Sequence, residues 1–532
     1  MQQTALGIFA QNPQYSHCVC GFNTLFGIII SFLSNNRTEI VRSARFTSFL
    51  CSIYAAVGGG MEIIMSKKIK WYALAFMAFS TVWGFGNVIN GYYYFNGLHA
   101  IIPWVFILAV YFVPYALIVG ELGSAFKTLG GGVGSWVEET MGKKMAFYAG
   151  WTYWVVHMPY ISQKPTSTLI GLGWAFFRDG RIGEWSVWKL QLSALVLFAA
   201  AVLLSLMGIK FLKKISSIAG TAIFIMSILF ILMMIAAPAV TKGRVSFSDI
   251  DWSWNSFRPE LNANTFMNVA ILVFAVGGCE KLSPYVNKME NPAKDFPLGM
   301  IWLAGMVAVC AILGTIAMGM MFAGQNIEKS FVANGAYESF RTVGQYFGVG
   351  DTLMVIYAIC NAIAQVAVII LSIDAPLRIL LESADEEYIP RWLTVRNRNG
   401  VYQNGVLIVA IVSGLLILIP AIGIGDVHDI VKYILDLNAV CMPLRYLWVF
   451  AAYFAMKKHQ EQYEAEYRFV KSKKIGMFFG AWCFLLTLYA CLIKIFNVDG
   501  DSFKLILNLL TPFILVGMGL ILPYIARRSN QK

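Results

Sequence analysis

Trp83-Gly84-Phe85-Gly86-Asn87 and Phe274-Ala275-Val276-Gly277-Gly278-Cys279-Glu280 interrupt two long apolar runs, near 71–94 and 266–285. A glycine inside a helix costs about 1 kcal/mol relative to alanine. Two close glycines beside a polar residue therefore predict local unwinding. Each interrupted run opens a half-chain of five apolar segments, roughly 71–237 and 266–456. Matched breaks in two halves point to a transporter's midplane site. Unwound backbone leaves N–H and C=O groups unpaired where there is no bulk water. Half-helix N-termini suit a carboxylate, and free carbonyls suit an ammonium or a coupling cation. Together they predict a seat for an amino-acid zwitterion. Close helix packing through small residues is the competing reading. It explains one glycine pair better than two in register.

The whole chain agrees with a membrane setting. Its 532 residues are 58% hydrophobic and 13% charged, against roughly 45–50% and 25% in soluble domains. That balance excludes soluble, disordered and nucleic-acid-binding classes and leaves an all-α polytopic protein in a lipid bilayer. Twelve spanning segments are predicted near 71–94, 101–121, 145–175, 186–206, 211–237, 266–285, 297–323, 351–376, 404–424, 430–456, 475–496 and 503–526, each about 20 apolar residues or more. One set of loops carries 25 Lys and Arg and the opposite set 10. By the positive-inside rule both termini are cytoplasmic, and the net charge of +12 is a topology signal rather than a nucleic-acid footprint. The nine cysteines and five histidines lack metal-ligand spacing, and there is no P-loop. No cofactor, metal or catalytic group is expected. A membrane-embedded enzyme would need paired carboxylates, a nucleophile–base pair or a metal cluster, and no such spacing occurs.

Residues 1–64 read as a separate extension. The apolar stretch 21–33 is too short to span. Glycines 58–60 just before Met61 and Met65 match the translated trace of a ribosome-binding sequence, so the start is expected at Met61 or Met65. A weakly structured cytoplasmic arm is the alternative. The predicted organisation beyond it is a first repeat over 65–237, a second over 266–456, and two peripheral helices within 475–526.

Two strings carry a family resemblance. One is Phe112-x-Pro114-x-Ala116-Leu117-x-x-x-Glu121-Leu122 with Gly131-Gly132-x-x-x-Trp136-Val137-x-Glu139-x-x-Gly142. The other is Phe274-x-x-x-Gly278-x-Glu280 with Val286-Asn287-x-Met289-x-Asn291-Pro292-x-x-Asp295-x-Pro297-Leu298. They resemble permeases of the amino acid–polyamine–organocation superfamily. The second string is most similar to the glutamate:GABA antiporter branch. The resemblance implies a leucine-transporter-type 5+5 inverted repeat with helices 1 and 6 discontinuous. It further implies amino-acid substrates and alternating access. Carried over, Gly84, Phe85 and Gly86 match the first-helix break that receives the substrate carboxylate, and Trp83 and Asn87 beside it are further candidate substrate-binding residues. Phe274 matches an aromatic lid, and Val276, Gly277 and Gly278 match the second break. Glu280 matches the acidic residue just past it. Asn87 and Lys281 depart from the family pattern.

Charges within the spans carry the sharper expectations, because intramembrane ionisable groups are rare and functional by default. Lys164 is expected either to pair a substrate carboxylate or stand in for a coupling cation, or to snorkel to the outer interface. In the cavity it would favour acidic or neutral substrates and repel cationic ones. Glu280 is expected to be a proton-linked carboxylate, or an ion-pair partner of Lys281 or a helix cap. Arg445 is expected to pair with Asp436 or Asp374, in a gating or a scaffold role. Asp374 and Arg378 form a structural i, i+4 pair. Tyr92, Tyr93 and Tyr94 are an outer gate or an interfacial belt. The eighth span, with Asn361 and Gln365, lacks the paired hydroxyls of a sodium site. The expected function is secondary amino-acid transport across the cytoplasmic membrane, as an antiporter or, alternatively, a proton-coupled symporter.

Overall fold

The computed structural model of the protein describes residues 68–322, 327–385, 387–419, 426–495 and 502–530. The expectation for residues 1–64 lies outside them. Residues Ile69–Leu195 and Ala201–Lys532 form one compact unit. The other unit contributes to the described residues only Lys68 and Val196–Ala200, part of one helix.

Every regular element among the described residues is helical. The first interrupted span is α1 (Trp71–Val82) and α2 (Gly86–Tyr94). Next come α3 (Ile101–Ile107) and α4 (Val113–Ala125), joined by a π-helical turn over Leu108–Phe112. A short α5 (Val133–Met141) follows. The predicted span 145–175 is two helices, α6 (Lys143–Val155) and α7 (His157–Phe177), which adjoin at Val156. Then come α8 (Val187–Ser205), α9 (Ile209–Val240) and a one-turn α10 (Trp254–Phe257). The second interrupted span is α11 (Ala263–Ala275) with the 3-10 helix Cys279–Lys288. The second half continues with α12 (Pro292–Phe322), α13 (Phe331–Tyr346), α14 (Thr352–Ser383), α15 (Gln403–Leu418), α16 (Val427–Cys441) and α17 (Leu444–Lys458). Last are α18 (Lys473–Ile495), α19 (Ser502–Gly517) and α20 (Leu522–Asn530).

Among the described residues ten segments are long and apolar enough to cross a membrane. Gln403–Leu418 is a shorter apolar helix. The predicted third span, α6 with α7, falls outside these ten. Its polar residues Gln163, Lys164 and Thr166 face inward or line a cavity rather than lipid. The outer surface is apolar: Leu232, Leu415, Phe478 and Leu485 are all exposed. In water such a surface would be unstable, and against lipid tails it is not.

The core helices pack in pairs. Helix α7 lies on α14, α4 on α12, and α9 on both α1 and α14. The two breaks meet between them. Near the chain's described start, Ile69 N–H donates to Lys288 O at 2.8 Å. That bond ties the base of α1 to the end of the second interrupted span.

Candidate functional site

In the first break Trp83 is extended, and helix resumes at Gly86. Asn87 N–H donates to Gly84 O at 2.9 Å and Val88 N–H to Phe85 O at 3.0 Å. The amides just before, of Gly84, Phe85 and Gly86, have no backbone acceptor among the described residues. This is the free N-terminus of a half-helix. A side chain added at Gly84 or Gly86 would meet nothing within 4 Å. Both glycines open onto empty space.

In the second break Gly278 has φ 118°, a left-handed value that glycine tolerates without strain. A Cβ at Gly277 would collide with the Tyr446 hydroxyl. The breaks are stitched together. Asn87 Nδ2 donates at 3.2 Å both to Val82 O, where α1 ends, and to Ala275 O, where α11 ends. Thr81 Oγ1 reaches Gly278 O at 3.4 Å. Two of the carbonyls expected to be free are therefore partly satisfied by Asn87, the residue that departs from the family pattern.

A cavity opens beside this junction. Trp83, Gly84, Gly86, Asn87, Lys164, Phe274, Gly277 and Arg445 line it. Phe85, Val276 and Gly278 do not. Phe85 packs instead against Phe230, Phe340 and Tyr357. Tyr92 is 2% exposed and packs near Phe322 and Phe331, away from both the cavity and the outer surface. Lys164 is half-buried, and its ammonium lies 4.5 Å from the centre of the Tyr160 ring. Lys281 also lines the cavity. Further polar wall residues include Gln163 on α7, and Asn361 and Gln365 on α14.

Arg445 pairs with neither Asp436 nor Asp374. Its Nε lies 3.2 Å from Glu280 Oε1, and both residues are buried. Glu280 likewise pairs with Arg445 rather than with the adjacent Lys281. On this short 3-10 helix successive side chains diverge. Glu280 points into a pocket of hydroxyls, where Tyr153 donates at 2.5 Å and Tyr115 also donates. His157 donates from Nδ1 to Tyr153 O at 2.6 Å, so its Nε2 is free to accept from Arg445 Nη1. Tyr446 Oη accepts from Arg445 Nη2 at 3.2 Å. The ionic and hydroxyl partners offset the burial of this pair, although Arg445 Nε itself makes an ionic contact and no hydrogen bond.

Three further buried ion pairs are present. Asp374 and Arg378 form the expected pair at 2.7 Å, with Tyr285 donating to Asp374 at 2.7 Å and Glu382 3.0 Å from Arg378. Lys457 lies just past the predicted span 430–456 and Lys494 near the end of 475–496, and both are buried. Lys457 meets Glu121 at 2.6 Å and Lys494 meets Asp436 at 2.8 Å. Sequence reasoning missed His157, Tyr115, Tyr153 and Tyr446 as partners of the Glu280–Arg445 pair. Polar residues inside otherwise apolar spans were the available signal, but no spacing rule joins residues from four helices.

A profile of the family described as amino acid permease matches residues 69–521. The chain is 47% identical over 476 residues to the aspartate/glutamate permease AcaP of Lactococcus lactis subsp. cremoris, covering 88% of this chain and 97% of that one. It is 23% identical over 439 residues to a glutamate/gamma-aminobutyrate antiporter of Lactococcus lactis subsp. lactis, covering 80% and 83%. It is 22% identical over 419 residues to the inner membrane transporter YjeM of Escherichia coli, covering 74% and 83%. The chain is an amino-acid transporter of the membrane and belongs to the amino acid permease family.

Proposed function

We propose that the protein carries acidic amino acids, aspartate or glutamate, across the cytoplasmic membrane by exchange. The observation that carries this reading is the charge of the cavity wall. Lys164, Lys281 and Arg445 line it, and no Asp or Glu does. Glu280 compensates Arg445 from behind the wall. A neutral zwitterion leaves the surplus positive charge uncompensated, and a cationic substrate adds to it. A substrate with two carboxylates reduces it. Its α-carboxylate fits the free amides of Gly84, Phe85 and Gly86. The aspartate/glutamate permease named above favours the same substrate class, and the glutamate/gamma-aminobutyrate antiporter favours exchange.

The reading includes twelve spans, two inverted five-helix repeats over 65–237 and 266–456, and both termini in the cytoplasm. Its support is the pairing of α7 with α14 and of α4 with α12, together with the meeting of the two breaks. These are corresponding spans of the two halves, and a pseudo-two-fold axis between repeats brings such spans together.

The test uses purified protein in liposomes and radiolabelled glutamate, with and without unlabelled amino acids inside. Entry only with internal substrate establishes an exchanger. Entry into empty liposomes driven by a proton gradient replaces exchange with symport. No entry of glutamate or aspartate under either condition removes the acidic-substrate reading.

A further inference from the structure

The three cations of the cavity wall are compensated unequally. Arg445 has Glu280 at 3.2 Å. Lys281, the next residue along, is 1% exposed. Its ammonium donates to Ser372 Oγ at 3.1 Å and lies 4.9 Å from the centre of the Tyr160 ring. Lys164 Nζ lies 4.5 Å from the centre of that same ring. No carboxylate among the described residues forms an ion pair with either ammonium; Glu280, next to Lys281 in the chain, is paired with Arg445. The other polar groups of the cavity wall are neutral or cationic, among them Gln163, Gln365, Tyr446 and Arg445.

A buried ammonium without a counter-ion is costly to the empty protein. A ring face and one hydroxyl offset only part of that cost. An anion bound in the cavity relieves the rest. We propose that Lys281 and Lys164, held by the one ring of Tyr160, form a two-ammonium seat for the second carboxylate of an acidic amino acid. The inference rests on the acidic-substrate reading and assigns it a determinant. Lys281 is the principal member, because it is the more deeply buried and its charge is the less screened. The α-carboxylate remains at the amides of the first break. Discrimination between aspartate and asparagine then comes from charge, since the two have nearly the same shape.

The experiment titrates substrate-induced thermal shifts of the purified full-length protein with aspartate and with asparagine. The variants are Lys281→Met, Lys281→Arg and Lys164→Met. The wild type is expected to bind aspartate more tightly. Lys281→Met is expected to weaken aspartate by about 10- to 100-fold, the range of one charge-assisted hydrogen bond, with asparagine altered by no more than about threefold. Lys281→Arg restores most of the preference, and Lys164→Met lowers it by a smaller factor. Because methionine removes an uncompensated buried charge, ligand-free Lys281→Met melts no lower than wild type. A wild type without preference for aspartate overturns the acidic-substrate reading itself. A wild type with that preference, joined by a Lys281→Met variant that keeps it, overturns the two-ammonium seat alone. Lys164→Met, at a half-buried position, reads the same ratio without disturbing the fold around Lys281, and full retention there also overturns the seat.

Discussion

At the scale of single residues, Gly86, Lys164 and the Glu280–Arg445 pair are separable by experiment. A Cβ at Gly86 meets nothing within 4 Å, so Gly86→Leu is expected to insert and fold as wild type. Its side chain would fill the space in front of the free amides, and substrate entry into liposomes should fall to background. Normal uptake would remove the carboxylate seat from this break. Lys164→Ala is expected to shift the competition profile from acidic toward neutral amino acids with expression unchanged. An unaltered profile would leave Lys164 without a role in selectivity. Glu280 and Arg445 test stability instead. Glu280→Gln leaves a guanidinium buried without its counter-ion and should cost about 3–5 kcal/mol. The double variant Glu280→Gln with Arg445→Met should recover much of that in thermal unfolding of the detergent-solubilised protein. Additive losses would show that the two residues act independently.

At the scale of elements, the two interruptions work as one joint. Asn87 bonds to the ends of both α1 and α11. Each lost hydrogen bond costs about 1 kcal/mol, so Asn87→Ala should lower stability modestly. Asn87→Asp keeps the shape but sets a carboxylate against two carbonyls, and should cost more. Equal melting temperatures for the two variants would assign Asn87 no bridging role. Gly278 differs from Gly86. It does not line the cavity, and its φ of 118° excludes a branched side chain. Gly278→Leu is therefore expected to lose transport through backbone strain, visible as lower thermal stability, where Gly86→Leu loses it with stability intact.

At the scale of the whole molecule, buried ion pairs join helices distant in sequence. Lys494 on α18 meets Asp436 on α16, and Asp436 also accepts from Tyr94 at the end of α2 at 2.8 Å. A helix read from sequence as peripheral is thus tied to the core. Lys494→Met alone should destabilise the protein, because Asp436 keeps its charge with a weaker cation, Lys432, at 3.7 Å. Adding Asp436→Asn should restore stability. A single variant as stable as wild type would show that the pair carries no net energy.

The membrane setting, most of the spans, the two breaks and the family were legible from the chain alone. These follow from composition, from the length needed to cross a bilayer and from glycine's effect on a helix, all of which are local properties. Asp374 and Arg378 were legible for the same reason, because a spacing of four fixes their contact on one helix. Only the tertiary structure decided which charges are matched. Arg445 lies 165 positions from Glu280 in the chain, and Lys457 and Lys494, at the ends of predicted spans, are buried by the fold against Glu121 and Asp436. Lys281 stood out in the sequence only as an oddity. Its significance came from what the fold places around it: a ring, a hydroxyl, and an adjacent carboxylate, Glu280, whose ion pair is with Arg445. Charge compensation is a through-space property at a few ångströms, and helix packing rather than spacing along the chain sets those distances.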